Sequence, residues 1–118
     1  MRAMLRSVLL DPEPADLPDD AAAFVFLARL LVGPSEGPGE ESFDVTVSSP
    51  EWLVTQCREN GEIISGLHHV FVDASLFDRR RLTAWFEARV AGIEADSWHE
   101  IGEKMSRLGH WEFQDYAE

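Results

Sequence analysis

The sequence predicts a single α+β domain, with an antiparallel or mixed sheet of about five strands, three helices, and the element order βββαβααβ. Three observations predict it. Apolar and polar residues alternate at the two-residue period of a half-buried strand in 43–47 and again in 111–116. Apolar residues recur at helical spacing behind a capping residue in three other stretches, which begin at Ser49, Asp78 and Ser97. Glycine and proline clusters separate these stretches, and 118 residues, 45% hydrophobic and 27% charged, suit one folded core.

Residues 2–10 read as a first, mostly buried strand in which Met4, Val8 and Leu10 alternate with their neighbours and Asp11-Pro12 closes the run. Residues 12–20 hold three prolines and four acids. Proline removes amide donors and holds its predecessor extended, so an exposed acidic loop is expected there. Residues 24–32 are apolar apart from Arg29 and stop at Gly33-Pro34, as a central strand does. A helix over the same run stays open, because periodicity does not separate the two for short apolar segments. The three glycines and two prolines of 33–42 form a hairpin loop, and 43–47 returns with Phe43, Val45 and Val47 on one side.

Ser49 as N-cap and Pro50 in the first turn start a helix whose Trp52, Leu53, Gln56 and Cys57 share a face, and Asn60-Gly61 ends it. Residues 67–72 are the next strand. Asp78 caps a helix with Leu82, Trp85, Phe86, Val90 and Ile93 as its apolar face. Arg79, Arg80, Arg81 and Arg89 put four of the ten basic residues on that element, where they read as a solvated face. Ser97 and Glu100 form a capping box, the hydroxyl taking the Glu100 amide and the carboxylate reaching back to the Ser97 amide. Trp98, Ile101, Met105 and Leu108 follow on one face, Gly109 stands where a left-handed cap is wanted, and 111–116 closes the sheet with Trp111 and Phe113 inward. All four tryptophans, Trp52, Trp85, Trp98 and Trp111, are expected in or against the core.

The charge excludes some functions. With 22 acidic and 10 basic residues the net charge is -12, which argues against nucleic-acid or anionic-membrane binding and permits a basic partner. The single Cys57 excludes an intramolecular disulfide, and no run approaches the roughly 20 apolar residues of a membrane span. Residues 1–10 lack the apolar core and cleavage site of a secretion signal, so a cytoplasmic location is expected.

Chemistry is harder to find. His68 and His69 point to opposite faces if they lie on a strand, so they do not share a metal, and His99 and His110 lie far off in sequence. Cys57 on an apolar helix face reads as packing. Adjacent carboxylates such as Glu40 with Glu41, or Asp19 with Asp20, lie in polar loops where nothing desolvates one of them and separates their titrations. Residues 33–39 lack the lysine and following helix of a phosphate cradle. No catalytic residue, cofactor or metal ligand is expected.

The run Ser97-Trp98-His99-Glu100-Ile101 through Leu108, then Trp111-Glu112-Phe113-Gln114-Asp115-Tyr116, resembles the C-terminal signature of the immunity protein 8 family of bacterial polymorphic toxin systems. Phe43-Asp44-Val45-Thr46-Val47 with Ser49-Pro50-Glu51-Trp52-Leu53 resembles the same family's central strand and helix start, and 67–72 its next strand. Residues 11–22 are the least diagnostic part, and Gln114 stands where the family's terminal motif often has a third acid. The resemblance implies a non-catalytic protein that binds and neutralises a cognate toxin domain, in many such systems a nuclease.

Charge, not the resemblance, selects the contact candidates: the acids Asp11, Glu13, Asp16, Asp19 and Asp20 of the first loop, and Glu36, Glu40, Glu41 and Asp44 of the second. Two other functions stay open at this point. A small enzyme or hydrolase requires a concave site with converging polar groups, and a structural or adaptor subunit requires a large apolar surface patch.

Overall fold

Alternating apolar residues in the first half of the chain pair with one another to make the sheet. The computed structural model describes residues 1–13, 23–61 and 63–111. In chain order the elements are β1 (Ala3–Asp11), β2 (Val25–Pro34), β3 (Glu41–Ser48), α1 (Pro50–Glu59), β4 (His69–Phe71), α2 (Arg79–Ala91), α3 (Trp98–Met105) and β5 (His110–Trp111), the predicted order βββαβααβ. The sheet is mixed and runs β1-β2-β3-β4, with β5 also on β3. The β1/β2, β2/β3 and β3/β5 pairs are antiparallel, and β3/β4 is parallel. Because β4 pairs with residues 46–48 of β3 and β5 with 43–44, the two short strands lie end to end along one edge of β3.

Residues 24–32 are strand, not helix, and the register shows why. Phe26 faces Val47, Ala28 faces Val45 and Leu30 faces Phe43, all essentially buried, so three apolar cross-strand pairs form on one face at once. Leu82, Phe86 and Val90 of α2 and Ile101 and Met105 of α3 cover that face. Each large side chain buried this way contributes about 1.5–3 kcal/mol. The other face carries exposed Leu9 and Leu27 with an Arg29–Asp44 ion pair across β2 and β3.

The helix caps follow the sequence closely. Ser49 Oγ accepts from Trp52 N at 3.3 Å, and also from Phe24 N at 3.1 Å, so one buried hydroxyl ties the start of β2 to the start of α1. Asp78 accepts from Arg80 N at 2.8 Å, and Ser97 from Glu100 N at 3.2 Å.

Several details differ from expectation. The Glu100 carboxylate reaches the Asp96 amide and not that of Ser97, leaving half of the capping box displaced by one residue. α3 closes at Met105, and Gly109 is not a left-handed cap. A Cβ at Gly109 would lie 3.0–3.3 Å from Val45, Phe43 and Asp44, so glycine is needed there for close approach of the chain to β3.

β1 is an edge strand and only partly buried. A bulge between Leu5 and Ser7 switches the inward set from Ala3 to Val8 and Leu10, which leaves Met4 exposed. The strand predicted over 67–72 shortens to His69–Phe71, because His68 turns into the left-handed region at φ 56° and Leu67 is exposed. Trp85 is 38% exposed instead of packed inside, with the Arg89 guanidinium 4.6 Å above its ring. Trp111 is buried as expected, Trp52 and Trp98 are half-buried, and the rest of the predicted closing strand lies outside the described residues.

Candidate partner-binding surfaces

The acids singled out by charge fall into separate places. Asp11 ends β1 and is exposed, and Glu13 beyond it pairs with Arg79, the first residue of α2. Asp16, Asp19 and Asp20 lie outside the described residues. Glu36 and Glu40 are exposed in the loop between β2 and β3. The β1/β2 register sets Ala3 against Pro34 but Asp11 against Leu27, so the two acidic ends are separated by the length of β1, about 27 Å at strand rise. They do not form one patch.

The last two acids have partners inside the fold. Asp44 takes a two-pronged bond from Arg29, Nε to Oδ1 at 2.9 Å and Nη2 to Oδ2 at 3.1 Å, on the open sheet face. Glu41 accepts from Trp98 Nε1 at 3.1 Å and from Trp111 Nε1, one carboxylate oxygen each. It therefore joins the start of β3 to α3 and β5. Nothing in the spacing of the sequence marks Glu41 for this, since both indoles arrive from more than fifty residues away.

A groove of about 540 Å³ opens between β4 and the start of α2, lined chiefly by Phe71, Leu76, Phe77, Arg81, Leu82 and Trp85. Phe71 is 46% exposed and Leu76 66%, so apolar area is presented to solvent there. The groove adjoins the β1 end through the Glu13–Arg79 pair and the Phe24 and Phe26 rings, which pack on Phe77. The parallel ladder bonds Thr46 N to His68 O and Val72 N to Ser48 O, both at 2.9 Å, which turns the amides and carbonyls of His69 and Phe71 away from β3. Sequence reasoning missed this groove, although a strand with Val70 and Val72 inward must send Phe71 outward.

The titratable groups near the groove have identifiable surroundings. Asp73 is held below the usual carboxylate range by hydrogen bonds from the Ser75 hydroxyl and amide. Burial lowers the His69 pKa, and its Nε2 lies 2.8 Å from Ser48 Oγ while its ring stacks on Phe71 at 4.5 Å. Ser48 is fully buried, so this serine-histidine pair fastens β4 to β3 and does not present a nucleophile to solvent. Among the described residues no three His, Cys, Asp or Glu side chains converge as a metal site, and no helix is long and apolar enough to cross a membrane.

What these residues build is a small acidic α+β protein with one covered sheet face, one open face, two acidic ends and an apolar groove. The family model for Immunity protein 8 matches residues 4–116, nearly the whole chain. The chain belongs to the Immunity protein 8 family, as its tryptophan-bearing C-terminal run and its 43–53 segment foreshadow. No curated protein and no solved structure matches it.

Proposed function

We propose that this chain is a non-catalytic, cytoplasmic immunity protein of a bacterial polymorphic toxin system that binds and neutralises a cognate toxin domain. Its membership of the Immunity protein 8 family is the observation that carries the reading. The charge of -12 supports a basic partner, and a toxin with a basic nucleic-acid-binding cleft, such as a nuclease, fits it.

The contact surface proposed is the acidic loop set. Asp11 and Glu13 are its principal part, because Glu13 adjoins the β4–α2 groove, and Asp16, Asp19 and Asp20 follow them in the sequence. A charged rim beside exposed aromatic and aliphatic side chains is the composition of a protein interface. Glu36 and Glu40, at the far end, form a secondary contact. Asp44 contributes from the open face, while Glu41 contributes by holding the fold.

Co-expression with the C-terminal domain of the gene immediately upstream tests the reading. Host survival is expected with the native chain, and is expected to fall when Asp11 and Glu13 are reversed to lysine. A toxic domain that the native chain neither rescues from nor binds overturns the pairing with that toxin.

A further inference from the structure

The end-to-end placement of β4 and β5 on β3 sets His69 opposite Thr46 and His110 opposite Asp44. It thereby brings together His68 and His110, far apart in sequence, with ring centroids 6.0 Å apart and planes tilted by 54°. His68 is held in place by the fold. Its backbone lies in the left-handed region at φ 56°, which residues other than glycine seldom adopt, and its Nε2 is 2.6 Å from the Ser106 carbonyl oxygen. A carbonyl only accepts, so Nε2 is the donor there, and Nδ1 is the ring nitrogen left to face an ion. Ser106 is the C-cap of α3, the end at which a helix favours positive charge. His110 is exposed and its ring takes no hydrogen bond among the described residues, so the ring is free to turn.

We propose that His68 and His110 form a two-imidazole site for a divalent first-row transition ion, Zn²⁺ being the type case. Imidazole suits such ions, and the bond from one ring nitrogen of His68 to a backbone carbonyl is the outer-shell arrangement that orients metal-binding histidines. Two nitrogens about 2.0–2.1 Å from one ion at a tetrahedral angle place ring centroids about 5 Å apart, and a turn of the exposed His110 ring closes the remaining distance of about 1 Å. The net charge of -12 concentrates cations near the surface. Among the described residues no third His, Cys, Asp or Glu joins the pair, so water completes the coordination.

Titration of the tag-free chain with Zn²⁺ by calorimetry at pH 7.5 tests the site, with imidazole ¹⁵N spectra to report which nitrogens respond. One Zn²⁺ per chain is expected, with His68 Nδ1 and His110 shifting together. His110→Gln should weaken binding at least about tenfold, the loss that removal of even an outer-shell partner produces. His99→Gln, which removes the ring 3.0 Å from Glu103, should leave binding unchanged. His68→Gln disturbs a left-handed position, so the exposed His110 is the deciding substitution, with thermal melting to verify its fold. Absence of Zn²⁺ binding, or affinity that survives His110→Gln or follows His99, overturns the proposal.

Discussion

Glu41→Ala should destabilise the fold by about 2–4 kcal/mol, although Glu41 looks from the sequence like one more acid in an exposed loop. Its carboxylate accepts both the Trp98 and Trp111 indole N–H groups. A hydrogen bond to an ionised acceptor is worth about 1.5–3 kcal/mol, and water partly replaces Glu41 at this half-buried site, which holds the pair below the simple sum. Glu41→Gln retains one acceptor oxygen and turns its amide donors toward the other indole, so it should lose about half as much. Urea unfolding followed by tryptophan fluorescence reads both variants, and the midpoints should fall at unchanged slope. A loss below about 0.5 kcal/mol for alanine, or equal losses for the two variants, would refute the claim that this carboxylate clasps α3 and β5 to β3.

Three further outcomes test other parts of the structure. Gly102→Ala should cost about 1–3 kcal/mol by overpacking, because a Cβ there meets the Trp111 ring at 2.6–2.9 Å, and urea unfolding measures it. Ser49→Ala should cost a similar amount, about 1–3 kcal/mol, since one buried oxygen serves both Phe24 N and Trp52 N; a loss no larger than an ordinary exposed cap's would contradict the double role. His69 should make stability fall in acid. Its folded pKa lies below the ordinary histidine value of 6.5, so the unfolded state binds the proton first. Its contribution is complete above about 6.5 and is lost as pH falls through that value toward the lowered folded pKa. His69→Gln should flatten this part of a stability-against-pH curve, and an unchanged slope would assign it elsewhere.

Local chemistry was the legible part of this chain. Ser49, Asp78 and Ser97 cap helices because a short polar side chain meets amides only two or three residues on. The alternation of Phe43, Val45 and Val47 needed only a partner strand to become the buried face. What the sequence concealed depends on distant segments meeting. Gly109 looked like a helix cap until β3 passed beside it, and the β1 bulge, which has no sequence mark, reversed which residues point inward. Trp85 sits at core spacing on α2 but at the helix's outer margin, beside the groove.

The candidate surface divides in the same way. Charge alone drew two acidic loops, and the pairing of β1 with β2 sets Asp11 at the other end of β1 from the loop that carries Glu36 and Glu40, while Glu41 is engaged with two tryptophans. The apolar groove and the His68–His110 pair arise from where β4 lands, on the edge of β3, after a loop whose course no local pattern determines.

The most direct measurement is the affinity of the purified chain for the C-terminal domain encoded by the gene immediately upstream, once that domain is shown to be toxic, read by calorimetry at near-physiological salt. The native chain should bind. A variant combining Asp11→Lys, Glu13→Lys and Trp85→Ala should bind at least about 100-fold more weakly, a change of about 2.7 kcal/mol, while Glu36→Lys with Glu40→Lys loses less. A native chain that shows no affinity for a toxic domain, or affinity untouched by either set of changes, would contradict the account.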